Sequence, residues 1–367
     1  MKKITVLLLI LFGASLHLQA QETDDCNKLG AWLWYIEITG FQTHAQIADS
    51  LSNLGVKRIY VKVADGQINP SVWPELLDEE LVDTYQAAGL EVWGWSYNYP
   101  GNDSLQAEAL YIAAETGYEG FVVDVEMEFD GDSTNLSNLF TAFTDAKDRA
   151  IMDGHASNDF QLYCTTWGNP IDHNYRIDVI DPFVDGFMPQ TYVEVWGQTY
   201  INNQVYWIEV GNEEYEGLGA TKPIHHICAT ESGVMTSTQI NEFIQTSGPE
   251  SSLWRIPGGG TPLSIWNDWA EVDWNMNFCD TVSNIADQSL QAFKVFPNPV
   301  IDVLQIQLEA DFSNQSWAIY NLNGEQLKSG KVFGNQYDID LSGFLKGIYL
   351  LQIGDAKQTQ LVKLIKM

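Results

Sequence analysis

Positive charge is scarce in this chain of 367 residues: 18 Lys and Arg stand against 49 Asp and Glu, a formal net charge of -31. Gripping a phosphate backbone or an anionic bilayer takes a basic footprint, so nucleic acid and anionic membrane surfaces are poor partners. Apolar runs long enough to span a bilayer are missing beyond the first twenty residues. No Gly-rich phosphate turn follows the first strand-like segment, which counts against an open dinucleotide-binding sheet. Neither His225-His226 nor His173 has the spacing or helical setting of a zinc protease motif, so packed or hydrogen-bonded imidazoles are expected there. Cysteines number only four. Cys164 and Cys228 lie inside apolar strand patterns and read as small buried residues. Cys26 and Cys279 flank one domain, where a bridge would close a long loop and contribute several kcal/mol in the chain-entropy model.

What is present is ample core-forming material, 45% hydrophobic against 18% charged residues, which argues against a disordered chain. Lys2 and Lys3 precede the apolar run Val6 to Phe12, and Leu18-Gln19-Ala20 ends on a small residue, so residues 1–20 read as a signal peptide with Gln21 as the mature start. Cys26 is too far from that run to be a lipidation cysteine, and an exported chain meets an oxidising compartment. Charge then divides the chain. From Leu290 onward seven Lys balance seven acids, whereas Gln21 to Ser289 carries 42 acids against nine bases. The polar stretch Thr281 to Ser289 is the natural joint, giving a first domain over 27–279, a linker over 280–291 and a second domain over 292–367.

The second domain alternates apolar and polar residues over short runs, as in Val303-Leu304-Gln305-Ile306-Gln307-Leu308, separated by Asn323-Gly324 and Ser342-Gly343. That pattern predicts a small all-β, immunoglobulin-like antiparallel sandwich. Phe296-Pro297-Asn298-Pro299, Tyr320-Asn321-Leu322-Asn323-Gly324, Leu341-Ser342 and Gly347-Ile348-Tyr349-Leu350 follow one another before a final Lys-containing strand. In these details the segment resembles the C-terminal sorting domain of the type IX secretion system. The resemblance implies an export address recognised at the outer membrane, the type IX machinery as partner, and a product released or held at the cell surface by way of the periplasm.

Between Leu29 and Asn275, strand-like and helix-like patterns alternate. Strands are predicted near Ala31 to Ile38, Arg58 to Asp65, Glu91 to Tyr97, Gly120 to Glu128, Gln161 to Trp167, Gly186 to Trp196, Pro223 to Ala229 and Pro262 to Trp266. Eight such strands predict an α/β fold, a TIM-like (β/α)8 barrel, whose active site would lie at the C-terminal ends of the strands. Alternate residues of a barrel strand point inward, so polar side chains reveal the inner face. On the fourth strand Phe121, Val123, Val125 and Met127 make the apolar face, leaving Asp124, Glu126 and Glu128 inward with Val122. Three carboxylates so close repel, so at least one pKa should rise, and a raised carboxylate is what a general acid needs. The same parity puts Tyr60, Lys62 and Ala64 inward, with Lys62 expected to pair with one of those acids. Met188, Gln190, Tyr192 and Glu194 share the inner parity of the sixth strand, Gln161, Tyr163, Thr165 and Trp167 that of the fifth, and Ser264 and Trp266 that of the eighth. Trp93-Gly94-Trp95-Ser96-Tyr97 has no face that pattern alone assigns.

Twelve of thirteen Trp fall in this domain, many at expected strand ends. Aromatic faces stack on sugar rings while acids and amides bond their hydroxyls, so carbohydrate is the expected ligand. Ion-pair formation with Lys62 is the plain structural alternative for the acid cluster. Asp130, Asp132 and Asn135 are oxygen ligands at short spacing, but the Glu that closes an EF-hand loop is absent, so no cofactor is expected and calcium is the minor alternative.

Glu119-Gly120-Phe121-Val122-Val123-Asp124-Val125-Glu126 is similar to the fourth-strand signature of family 18 chitinases, Met188-Pro189-Gln190-Thr191-Tyr192 to that family's sixth-strand tyrosine motif, and Trp266 to its eighth-strand tryptophan. The resemblance implies that Glu126 protonates the leaving oxygen while Asp124 orients the substrate's acetamido group. Val122 stands where that family has an Asp, and the third strand lacks its Ser and paired glycines. Val61-Lys62-Val63-Ala64-Asp65-Gly66 and Val122-Val123-Asp124-Val125-Glu126 also resemble the second and fourth strands of family 25 muramidases, whose first-strand Asp has no counterpart in Gly30-Ala31-Trp32-Leu33-Trp34. The expectation is a glycoside hydrolase acting on a neutral or N-acetylated polysaccharide, with Glu126, Asp124, Glu128 and Tyr192 in catalysis and Lys62, Trp95, Trp167, Gln190 and Trp266 binding substrate. A catalytically silent glycan-binding or adhesion barrel is the alternative, and a metal-dependent hydrolase a third.

Overall fold

Runs of β-branched and aromatic residues bounded by helix caps and turn glycines build the first unit. Its strands are β1 (Gly30–Leu33), β2 (Arg58–Asp65), β3 (Glu91–Tyr97), β4 (Gly120–Asp124), β5 (Gln161–Trp167), β6 (Gly186–Gln190), β7 (Ile227–Ala229) and β8 (Ser252–Trp254). All eight pair in parallel and in sequence order, and β1 pairs with both β2 and β8, so the sheet closes into the expected barrel. A two-residue strand, Ser71–Val72, adds antiparallel to the end of β2. The computed structural model describes residues 26–66, 71–278, 293–298, 300–308, 316–321, 326–332, 336–354 and 359–366. The predicted signal peptide and the linker over 280–291 lie outside the described residues.

Helices α1 (His44–Leu54), α2 (Glu79–Ala87), α3 (Asp103–Glu115) and α4 (Ser133–Asp153) return the chain between the first five strands. Their ends follow local chemistry: Thr43 and Asp78 cap α1 and α2, and Gly55, at φ 95°, ends α1 in a left-handed turn. Four short helices follow: α5 (Ile177–Ile180), α6 (Val193–Trp196), α7 (Gln198–Ile201) and, after the longer α8 (Gln204–Gly217) and α9 (Ser237–Ser247), α10 (Ile265–Ala270). The outer core between strands and helices takes Ile59, Val61, Phe121, Val123 and Phe187. Inside the barrel a separate aromatic column is formed by Trp32, Tyr60, Trp93, Trp95 and Tyr163 with Val122, Met188 and Ile227. Trp32 stacks on Tyr60 with ring centroids 4.4 Å apart, and Trp93 packs edge-on against Tyr163 at 4.9 Å. At the N-terminal end Arg58, buried beneath Trp93, is held by Glu91 at 2.9 Å and Glu250 at 2.8 Å. The barrel is thus filled and plugged from below, which leaves its C-terminal mouth for chemistry.

Several expected strand ends are corrected. The eighth strand is Ser252–Trp254, and Pro262 to Trp266 leads instead into α10. There Ile265 and Trp269, four residues apart, bury on one helical face, and Trp266 packs on Phe41 and Trp269 instead of entering the barrel. The fourth strand stops at Asp124 because the next residues turn to bury Phe129 in the outer core, leaving Met127 66% exposed. The sixth stops at Gln190, so Glu194 belongs to α6 and accepts a bond from the Ser232 amide rather than facing inward from a strand. The seventh is only Ile227–Ala229, and the first ends at Leu33. Ala64 packs in the outer core, because a bulge at Val63 shifts the β2 register.

Of the cysteines, Cys164 and Cys228 are free and buried, and Cys26 is disulfide-bonded. Its expected partner Cys279 lies outside the described residues. Among the described residues, no helix is long and apolar enough to cross a membrane.

The second unit holds two antiparallel sheets. One comprises β9 (Phe293–Phe296), β10 (Val303–Leu308) and β13 (Gln336–Asp340); the other comprises β11 (Ser316–Tyr320), β12 (Gln326–Lys331), β14 (Gly347–Gly354) and β15 (Thr359–Lys366). Leu304, Ile306, Trp317, Ile319, Leu351 and Leu364, drawn from both sheets, share one core.

Candidate active site

Inward parity carries Val122 and then Asp124 up β4, so Asp124 reaches the mouth where the strand ends and is only 5% exposed. Glu126 lies at the start of the 3-10 turn Met127–Phe129, half-buried, closed by the Phe129 amide donating to its carbonyl at 2.9 Å. Across the barrel Gln190 ends β6. Its Nε2 donates to Asp124 Oδ1 at 3.1 Å and to Glu126 Oε1 at 3.0 Å, so one amide ties the two acids together. The two bonded oxygens therefore lie within roughly 6 Å of each other, inside the spacing that separates the acids of an inverting glycosidase.

Burial, reinforced by the Glu126 charge, pushes the Asp124 carboxyl well above its ordinary range. Burial raises Glu126 as well, and the bond from Gln190 draws it partly back. Glu128, expected beside them on a strand, sits in the 3-10 turn, where its Oε2 accepts the Tyr97 hydroxyl at 2.8 Å. Burial and the nearby Glu126 raise the Tyr97 hydroxyl, so it remains a donor.

Lys62 is buried but does not pair with the β4 acids. Its Nζ meets Asp65 Oδ2 at 3.0 Å, with Tyr35, Trp73, Trp95 and Tyr97 rings around it at 5.2 to 6.0 Å. On a regular strand residues three apart face opposite sides; the Val63 bulge brings Lys62 and Asp65 to the same side. Lys62 still acts on Asp124 at longer range, opposing its rise.

The expected aromatics scatter. Trp95 is 2% exposed, with Nε1 donating to the Leu33 carbonyl at 3.2 Å, and so lies beneath the mouth. Trp167 stands at the end of β5, donates to Asp130 Oδ1 at 3.0 Å and stacks on His173 with centroids 3.8 Å apart. Tyr192, just past β6, faces Trp254 at 6.4 Å, and burial raises its hydroxyl far above the ordinary range. Trp266 lies on α10, packed on Phe41 and Trp269 rather than on a strand of the barrel. Trp254, at the end of β8, occupies the place expected of it, against Trp32, Trp34 and Trp95. Sequence reasoning missed Trp254, Tyr97 and Asp65; the Trp in Ser252-Leu253-Trp254, followed by Arg255-Ile256-Pro257, was the available signal for the first. Asp132 caps α4 through the Asn135 amide at 3.0 Å, and Asp130 serves Trp167 and His173, so both have roles within the chain. Among the described residues no group of three His, Cys, Asp or Glu is placed to hold a metal ion.

Residues 294–367 match the family described as "Secretion system C-terminal sorting domain". Among curated proteins, none matches the chain in sequence. Among solved structures the chain is similar to an endo-beta-1,4-mannanase from Thermotoga petrophila, at 10% identity over 94% of this chain and 98% of that one with a TM-score of 0.51. An endo-1,4-beta-mannanase from Rhizomucor miehei (9% identity, 68% and 94% covered, TM-score 0.48) and an alpha-galactosidase from Saccharomyces cerevisiae (13%, 83% and 83%, 0.42) also match. At such identities the likeness is one of fold. The chain is an eight-stranded parallel barrel with a carboxylate pair at its C-terminal mouth. It ends in a secretion sorting domain.

Proposed function

We propose that the barrel is a glycoside hydrolase in which Glu126 is the acid. The observation that carries this is the Gln190 amide shared between Asp124 and Glu126 at the catalytic face of the barrel. Burial raises the Glu126 carboxyl, the direction a general acid needs, and Glu126 is only half-buried, so it stays accessible to a glycosidic oxygen. Asp124, deeper and bound to the same amide, orients an acetamido group that attacks the anomeric carbon, or, in the fraction of molecules in which its raised carboxyl has lost its proton, attacks that carbon itself; the close spacing favours retention by one of these two routes over inversion. Tyr192 and Trp254 supply a hydroxyl and an aromatic wall for the reacting sugar. The sorting domain suits a protein sent through the type IX machinery and released or displayed at the surface, where a neutral or N-acetylated polysaccharide is its substrate.

The test is reducing-sugar release by the purified full chain from mannan, chitin, peptidoglycan and plant and algal glycans, with Glu126→Gln alongside. Turnover by the wild type that drops at least ~10²-fold in the variant, with unfolding unchanged, is expected. Equal turnover by both proteins would sink the assignment. A silent glycan-binding barrel is favoured by one observation, the apolar Val122 beneath Asp124 where the family 18 signature has an acid; it predicts binding without any release.

A further inference from the structure

A cavity past the ends of β5 and β6 has no part in the chemistry above. It encloses about 320 Å³ between the loop after β5 and helices α6 to α8, at the small end of the ~300 to 1,000 Å³ typical of ligand sites. Trp196, Tyr200 and Trp207 line it together with Asn169, Asp172 and Glu214. The rings meet at angles, Tyr200 against Trp207 at 4.8 Å and Trp196 edge-on to Tyr200 at 5.6 Å, so they form one aromatic cluster in the cavity lining. All three remain partly exposed, and Tyr206, 47% exposed, abuts Trp207 at 5.1 Å.

The polar lining residues are only partly committed. Asn169 donates to Asp172 Oδ2 at 2.9 Å, and Glu214 Oε2 accepts the Ile171 amide at 3.2 Å, which leaves further acceptor positions on both carboxylates. Partial burial and the neighbouring Asp172 raise the Glu214 carboxyl. Gly168, in the wall of this cavity, packs against the main chain of Gln190, whose side chain holds Asp124 and Glu126: a Cβ there would fall 2.7 Å from the Gln190 carbonyl oxygen.

We propose that this cavity is a distal subsite for one neutral sugar ring of a glycan whose other end lies at Glu126. Apolar ring faces would rest on Trp207 and its neighbours, and hydroxyls would donate to Asp172 and Glu214. Two carboxylates facing the ligand, in a unit with 42 acids and nine bases, disfavour uronate and sulfated sugars. The inference rests on the glycan-directed reading of the barrel, but its test is separable from turnover.

Full-length Glu126→Gln is titrated calorimetrically with mannohexaose and, separately, chitohexaose, then compared with the same chain also carrying Trp207→Ala or Glu214→Gln. Expected is binding of one hexaose by the parent, weakened about tenfold or more by Trp207→Ala and severalfold by Glu214→Gln, which keeps the side-chain shape. Equal hexaose affinity in all three proteins overturns the subsite, as does a parent that binds neither hexaose. Reducing-end release by the wild type is read in parallel. Cavity-dependent binding without release keeps the subsite and rejects the hydrolase, whereas release with cavity-independent binding does the reverse.

Discussion

Gln190 is a positioning residue whose single nitrogen serves two acids with opposite needs. Its bond lowers the Glu126 pKa against the upward pull of burial, so removing it should let that pKa climb further. A general acid works while protonated, and activity falls as pH rises through its pKa. Gln190→Ala is therefore expected to lower kcat by ~10²-fold and to move the alkaline limb of the pH profile to higher pH. A purely structural role would lower activity and leave the limb in place. Asp124 gives the complementary prediction in stability. Its carboxyl is raised, so the folded chain keeps a proton that the unfolded chain releases near pH ~3.9, and stability is lost as pH climbs from there toward the folded pKa. Asp124→Asn removes that penalty while keeping an oxygen for Gln190. Thermal melts at about pH 8 should show the variant higher by about 2 to 4 °C, the shift of ~1 kcal/mol in a domain of this size, with the difference vanishing near pH ~3.5.

At the scale of the element, β2 shows what a bulge accomplishes. The extra residue at Val63 turns Asp65 toward Lys62, which has 4% of its side chain exposed and would otherwise face a mouth of acids without a close partner of its own. Asp65→Asn leaves that ammonium buried beside a neutral amide, and urea unfolding should register a loss of about 3 kcal/mol; a loss under about 0.5 kcal/mol would mean that the aromatic rings around Lys62 suffice. The same bulge marks the limit of sequence reading. Parity along β4 was legible because Phe121 and Val123 alternate cleanly with Val122 and Asp124, and the order of eight strands was legible from alternation with helices. Strand ends were not, since Phe129 and Glu194 turn away for reasons of packing that periodicity does not carry. Ala64 was misplaced because a bulge is a property of the β2–β3 pairing, invisible in one strand's residues. The eighth strand was misplaced because three residues, Ser252–Trp254, are too few for a period, while Pro262 to Trp266 mimics alternation before entering α10.

For the whole molecule the uneven charge matters most. Each unit has its own hydrophobic core, one spread through the barrel and its helices and one shared by the two small sheets. Each should therefore melt cooperatively by itself, giving two calorimetric transitions. Gln21 to Ser289 holds a net charge of -33 and Leu290 onward none, so self-repulsion burdens the folded barrel and leaves the sorting domain unaffected. Salt shortens the reach of that repulsion from ~30 Å at 0.01 M to ~3 Å at 1 M. The barrel transition should accordingly rise by several degrees between about 0.01 and 0.5 M NaCl while the other transition holds still. The paired charges within the barrel, Arg58 with Glu91 and Glu250 and Lys62 with Asp65, are buried on their cationic side and screened little, so salt should relieve the repulsion without undoing them. A barrel transition that falls with salt would mean that those pairs, and not the acidic surface, set its electrostatic balance.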